Sequence, residues 1–205
     1  MSIDTSYPKP YGLSIVYTIF MNLYEKTPMI YSYMRSGSHF FTDYFRQRTG
    51  FCFETSHKYN DDTERKGTIA IVRDPVEAIA STCAMIWSNN QEEHHEDLNN
   101  WSDYQVNLYL ETLRTTKEKS SVIIDYENLC KNPEDHVSYI SKLVDIPINN
   151  NGEYVSLLKD NPSDGFSVTS KSIPIYDEFV DYIKKYDLSE AYCLYNELKA
   201  RSIFN

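Results

Sequence analysis

Four short apolar runs, each followed by a stretch long enough for a helix, constrain this chain more than any other feature. Residues 29–34 (MIYSYM), 51–56 (FCFETS), 68–72 (TIAIV) and 122–126 (VIIDY) read as buried strands. Residues 38–48 read as a helix behind a Ser-Gly-Ser turn. Asp74-Pro75 supplies an N-cap and a proline at the first helical position, opening a helix towards Trp87. A further helix covers 101–117, Asn132-Pro133 caps one that runs to about residue 143, and two more near 175–185 and 189–201 close the chain. Strands spaced by helices of this length predict a parallel sheet covered on both faces. The expected architecture is therefore one α/β domain over residues 1–205, three-layer α/β/α with a central, mostly parallel sheet.

The remaining segments are read from composition. Residues 89–100 (NNQEEHHEDLNN) are polar and acidic and predict a surface loop, and 147–172 hold the turn-rich NNNG and NPSDG stretches. An apolar centre at 12–23 lacks early positive charges and is too short to span a bilayer, so it predicts an amphipathic first helix packed on the domain. A chain of 205 residues buries about 70% of its unfolded surface and needs no staples. Its four cysteines, at 52, 83, 130 and 193, form no C-x-x-C pair, which points to free thiols in a reducing compartment, with the cytoplasm as the expected address. A net charge of −10 argues against nucleic acid or acidic membranes as partners, yet it leaves room for a local basic pocket.

Such a pocket has two sequence candidates. In the first, Tyr33-Met34-Arg35-Ser36-Gly37-Ser38-His39-Phe40 leaves a strand, turns on Gly37 and enters a helix. A turn of this kind aims backbone N–H groups and the positive end of the helix dipole at one point, where small residues let an anion approach. Arg35 adds a cation, and the Ser36 and Ser38 hydroxyls add donors. An ordinary strand-to-helix turn would also use Gly37 for geometry and Ser38 as a cap. The loop is not a Walker A sequence, since its first glycine and its lysine are missing, which disfavours a nucleotide kinase-like enzyme. In the second candidate, Arg73 ends a strand, where open α/β sheets place ligands, and Ser81 lies in the following helix. One offers charge and the other a hydroxyl to a second phosphate.

Taken together, these stretches resemble the sulfotransferase family. Residues 35–40 resemble the arginine version of its K/R-S-G-T/S loop, and residues 73–81 its R-[DN]-P/A-x-x-x-x-x-S motif with the usual spacing. Ile124-Asp125-Tyr126-Glu127-Asn128-Leu129 with Asn132-Pro133 resembles its Y-E-D-L…N-P segment. The resemblance covers residues 28 to 145 or so and implies a P-loop-like fold. It also implies transfer of a sulfuryl group from 3′-phosphoadenosine 5′-phosphosulfate (PAPS), with 3′-phosphoadenosine 5′-phosphate (PAP) as product and no metal. By the same resemblance, Arg35 contacts the phosphosulfate and the amides from Ser36 through Gly37, Ser38 and His39 to Phe40 cradle it. Arg73 and Ser81 then grip the 3′-phosphate, and Tyr126 lies near the adenosine.

A base must take the acceptor's proton. His57, in Thr55-Ser56-His57-Lys58, resembles the family's K-T-H segment; the alternative is a surface histidine at a strand end, and Glu54 is the second candidate base. The chain departs from the family in two places. His39 stands where Thr or Ser is usual, facing either a phosphate or the acceptor. The C-terminal R-K-G-x-x-G segment is not visible, and Thr169-Ser170-Lys171 is the nearest substitute, with Lys171 as the cation. His94-His95 lacks any metal-ligand spacing and reads as part of the solvated loop. The charge and the short 88–100 insert favour a small or exposed acceptor, a hydroxyl or an amine. The competing function is a non-catalytic nucleotide-binding or interaction module on the same fold. Oligomeric state is not legible.

Overall fold

The computed structural model describes residues 27–60, 66–89, 98–149, 173 and 175–204. Its strands are β1 (Met29–Ser32), β2 (Thr55–Ser56), β3 (Thr68–Val72) and β4 (Val122–Asp125). They form one sheet in the order β2-β1-β3-β4, and every pairing is parallel. Strands β1, β3 and β4 are buried at every residue, as expected of parallel strands covered on both faces.

The helices among the described residues are α1 (Ser38–Thr49), α2 (Pro75–Asn89), α3 (Leu98–Lys119), α4 (Tyr126–Lys131), α5 (Pro133–Leu143), α6 (Tyr176–Ile183) and α7 (Ser189–Ala200). They divide between the faces according to strand alternation. Ile69 and Ile71 of β3 and Ile124 of β4 meet Phe41 and Phe45 of α1 and Ile140 of α5. Val72 and Ile123 turn the other way, onto Ile79 of α2, Leu113 of α3 and Leu198 of α7. Each fully buried side chain of this size is worth roughly 1.5–3 kcal/mol, so the two cores hold the three layers together. The three-layer α/β/α architecture is the one expected from the sequence.

Of the boundaries that differ, three have a clear local reason. Strand β2 keeps only Thr55 and Ser56 of the 51–56 run, paired with Ile30 and Tyr31. Phe51 and Phe53 are buried instead as side chains against Phe45, so that run is apolar for packing rather than for a ladder. Strand β4 stops at Asp125, one residue early, because Asp125 accepts the Asn128 amide (3.1 Å) and caps α4. Helix α3 begins at Leu98, inside the stretch read as a loop. The expected first helix at 12–23, the His94-His95 pair and Thr169-Ser170-Lys171 lie outside the described residues.

Sheet order also fixes where a ligand can sit. From β1 the chain goes through α1 to β2 on one side, and β3 returns on the other side of β1 before feeding α2 on the opposite face. The carboxyl ends of β1 and β3 therefore flank a topological switch point, the crevice where open α/β sheets bind ligands.

Candidate active site

The loop after β1 is shaped by two residues with left-handed backbone. Arg35 has φ 62° and Gly37 has φ 99°, and the Ser36 amide closes a turn onto the Tyr33 carbonyl (3.2 Å). A non-glycine residue at positive φ is uncommon and costs about 1–3 kcal/mol, so the surroundings must over-determine it. They do so from below. Buried Tyr33 donates its hydroxyl to Gln105 Oε1 (2.6 Å) and packs edge-on against Tyr109 at 5.0 Å between centroids. Burial raises the Tyr33 and Tyr109 phenols far above their ordinary range, so both remain neutral packing and donor groups.

Gly37 has a second constraint besides φ. A Cβ built there would stand 2.3 and 2.5 Å from Tyr126 Cδ2 and Cε2. The Cδ2–Cε2 edge of the Tyr126 ring thus closes on the loop, where no side chain fits. Helix α1 begins at Ser38, and its first intrahelical bond runs from Phe41 N to Gly37 O (3.0 Å). The amides of Ser38, His39 and Phe40 precede that bond and point out of the helix N-terminus. Ser36 amide, by contrast, is directed into the turn. Its side chain is 1% exposed, and its Oγ has no hydrogen-bond partner; Ser32 Oγ, at the end of β1, is in the same condition. Leaving a hydroxyl buried and unbonded costs about 1–3 kcal/mol.

Arg73 meets the loop from β3. Its Nη1 donates to the Arg35 carbonyl (2.9 Å), its Nε and Nη2 donate to Glu77 Oε2 (3.2 and 2.8 Å), and its Cζ lies 4.7 Å from the centroid of the Tyr126 ring. The Tyr109 hydroxyl donates to the Arg73 carbonyl (2.5 Å). Arg35 in turn directs Nε at Ser81 Oγ (3.4 Å), on the first turns of α2. Burial, and then the neighbouring Arg73 charge, lower the Arg35 pKa. Arg35 and Arg73 bring two guanidiniums to this loop in a chain of net charge −10, the second of them already paired with Glu77. Arg35, Arg73, Ser81, Gly37 and Tyr126 are therefore in one place, although the sequence separates them widely. Burial, with a smaller contribution from Cys130, pushes the Tyr126 phenol up to about 12.

The histidines stand at the open side. His57 Nδ1 is 2.8 Å from the Ser32 carbonyl, which can only accept, so Nδ1 carries the hydrogen and Nε2 presents a lone pair. The His39 ring lies 6.5 Å from that of His57 between centroids. Burial first, and then His57, lower the His39 pKa. Glu54 is placed differently. Its Oε2 is 2.5 Å from Lys66 Nζ, an ammonium whose side chain is 7% exposed. Because Ile30 pairs with Thr55 and donates its amide to the Glu54 carbonyl, Glu54 is level with Met29, at the amino end of the sheet. His57 is level with Ser32, about 10 Å further along at a strand rise of roughly 3.3 Å per residue.

Sequence reasoning missed Ser32, Gln105, Tyr109 and Glu77. Only Glu77 left a signal: Asp74-x-x-Glu77 is a capping-box pattern, and Asp74 Oδ1 does accept the Glu77 amide (3.1 Å). Among the described residues there is no group of three metal-capable side chains, and no helix is long and apolar enough to cross a membrane. Residues 67–150, less than half of the chain, match the model of the sulfotransferase family. That match spans β3 to α5 and includes Arg73, Ser81 and Tyr126; the first loop and His57 precede it. No curated protein and no solved structure gives a significant match.

Proposed function

We propose, from the site and from the match of residues 67–150 to the sulfotransferase family, that the chain transfers a sulfuryl group from PAPS to a hydroxyl or amine of a small or exposed acceptor, releasing PAP. The observation that carries this reading is the convergence of Arg35, Arg73 and Ser81 on a loop that buries an unbonded Ser36 hydroxyl. A bisphosphorylated donor fits those residues. The Ser36 Oγ hydrogen and the amides of Ser38, His39 and Phe40 suit one anionic group, and the Arg73 guanidinium with Ser81 suits another. Tyr126, whose ring already packs under Arg73, would border the adenosine, and Lys171 is the further cation proposed from the sequence.

When bound, the donor supplies the sulfuryl group; the chain's own residues do the rest. Arg35 holds positive charge at the mouth of the loop, where negative charge grows on the leaving oxygen as the group departs. His57, fixed through its Nδ1–H on the Ser32 carbonyl, offers Nε2 to take the acceptor's proton. The backbone carbonyl fixes the tautomer and the ring orientation, so no carboxylate is needed behind the histidine. Glu54, already paired with Lys66 at the other end of the sheet, is disfavoured as the base. No step calls for a metal ion. The cysteine spacing supports the cytoplasm as the working compartment.

The direct test supplies sulfate-labelled donor with a panel of phenols, aliphatic alcohols and amines. Labelled acceptor should form without added metal, and His57→Ala should slow its formation roughly 10²–10⁴-fold while leaving nucleotide affinity within about twofold. Normal transfer by His57→Ala would remove the base assignment. Nucleotide binding without transfer to any acceptor would favour the non-catalytic module.

A further inference from the structure

We infer that Glu77 occupies the phosphate face of Arg73 as an internal stand-in, so that the 3′-phosphate must displace its carboxylate on binding and the carboxylate's return speeds release of the bisphosphate product. This rests on the nucleotide reading above. The Arg73 guanidinium has two kinds of anchor. One set is fixed: the Arg35 carbonyl on Nη1 (2.9 Å) and the Tyr126 ring beneath Cζ (4.7 Å). The other is a single carboxylate oxygen, Glu77 Oε2, shared by Nε and Nη2 (3.2 and 2.8 Å).

Exposure separates their roles. The Arg73 side chain is 10% exposed and that of Glu77 is 42% exposed, so an anion approaching from solvent meets the carboxylate before it meets the guanidinium. Glu77 sits on the first turn of α2, four residues after Arg73, and a rotamer change carries its carboxylate into water while its backbone stays in the helix. Arg73 keeps its place during that exchange because the Arg35 carbonyl and the Tyr126 ring do not depend on Glu77.

Charge decides which ligands complete the exchange. A phosphomonoester brings a charge of about −1.5 to −2 and three strong acceptor oxygens, against the single negative charge of the carboxylate. A ribose hydroxyl brings neither and leaves Glu77 where it is. The carboxylate therefore weakens binding of a 3′-phosphorylated nucleotide without obstructing the first loop, and it is ready to take the guanidinium back when the product leaves. The requirement for strong binding and the requirement for release are set by two residues four positions apart.

The test is calorimetric titration of PAP into the wild-type chain, Glu77→Gln, Arg73→Ala and the double variant, with weak binders measured by competition. Displacement predicts that Glu77→Gln binds PAP about tenfold more tightly, because the two charge-assisted bonds from Nε and Nη2 become weaker ones to a neutral amide oxygen. It also predicts slower PAP dissociation in stopped flow, and no effect of Glu77→Gln in the Arg73→Ala background. Weaker binding by Glu77→Gln would make Glu77 a positioning residue for Arg73 and overturn the inference. Equal tightening in both backgrounds would reduce it to general charge repulsion and overturn it as well. Failure of the wild-type chain to bind PAP at all would instead remove the nucleotide reading on which the inference stands.

Discussion

The two halves of the crevice are built on opposite plans. The loop after β1 is a backbone device: two left-handed residues, a helix N-terminus, and a buried Ser36 hydroxyl with no partner. The clamp after β3 is a side-chain device in which Arg73 is already bonded to a carbonyl, a carboxylate and an aromatic face. One half has unsatisfied polar capacity before any ligand arrives, and the other has its capacity spent internally. The difference teaches that the first half should gain hydrogen bonds on binding, whereas the second should exchange them. Tyr126 joins the halves, since its ring touches both Gly37 and Arg73.

That junction is where the comparison is easiest to break. Gly37→Ala places a methyl against the Tyr126 ring at a residue with φ 99° and should destabilise the fold by about 3 kcal/mol in urea denaturation. Tyr126→Ala in the same chain should recover the steric share but not the backbone share. A Gly37→Ala chain of unchanged stability would mean that the ring does not hold the loop. Arg73→Ala comes next. It should weaken PAP roughly a hundredfold, because it removes a charge-assisted clamp, and it should also lower stability by about 1–3 kcal/mol, since it leaves the Arg35 carbonyl without its donor.

Ser36→Ala should have the smallest effect and the most informative sign. Removing a buried hydroxyl that has no partner costs the free protein nothing, so stability should hold or rise by up to about 1 kcal/mol. Nucleotide affinity should nevertheless fall several-fold. A loss of stability in Ser36→Ala would show that the hydroxyl is bonded in the free chain, and the contrast between the two halves would disappear.

The legible parts of this molecule are those written locally. Continuous apolar runs fixed three of the four strands to within two residues, because strands buried on both faces need no alternation. Pro75 and Pro133 marked helix starts that the structure keeps. Phe51 and Phe53 misled, since the same apolar spacing serves side-chain packing and a ladder alike, and pairing along β1 left room for only two residues. In the site, Arg35, Arg73 and Ser81 were legible as residue types at a known spacing. Their mutual contacts were not, because the Arg35–Ser81 and Arg73–Arg35 bonds span 46 and 38 positions. The Ser32 carbonyl behind His57 left no trace in composition at all, since any residue there carries the same acceptor.

The central claim is that these two halves together form a site for a nucleotide carrying phosphate at both ends of its ribose. Calorimetric titration of the purified chain with PAP, with ATP as the comparison and no metal added, tests it most directly. The account predicts PAP binding in the micromolar range and ATP at least about tenfold weaker, as expected when only one of two charge-assisted phosphate contacts can form. Absence of PAP binding, or a preference for ATP once magnesium is supplied, would contradict it.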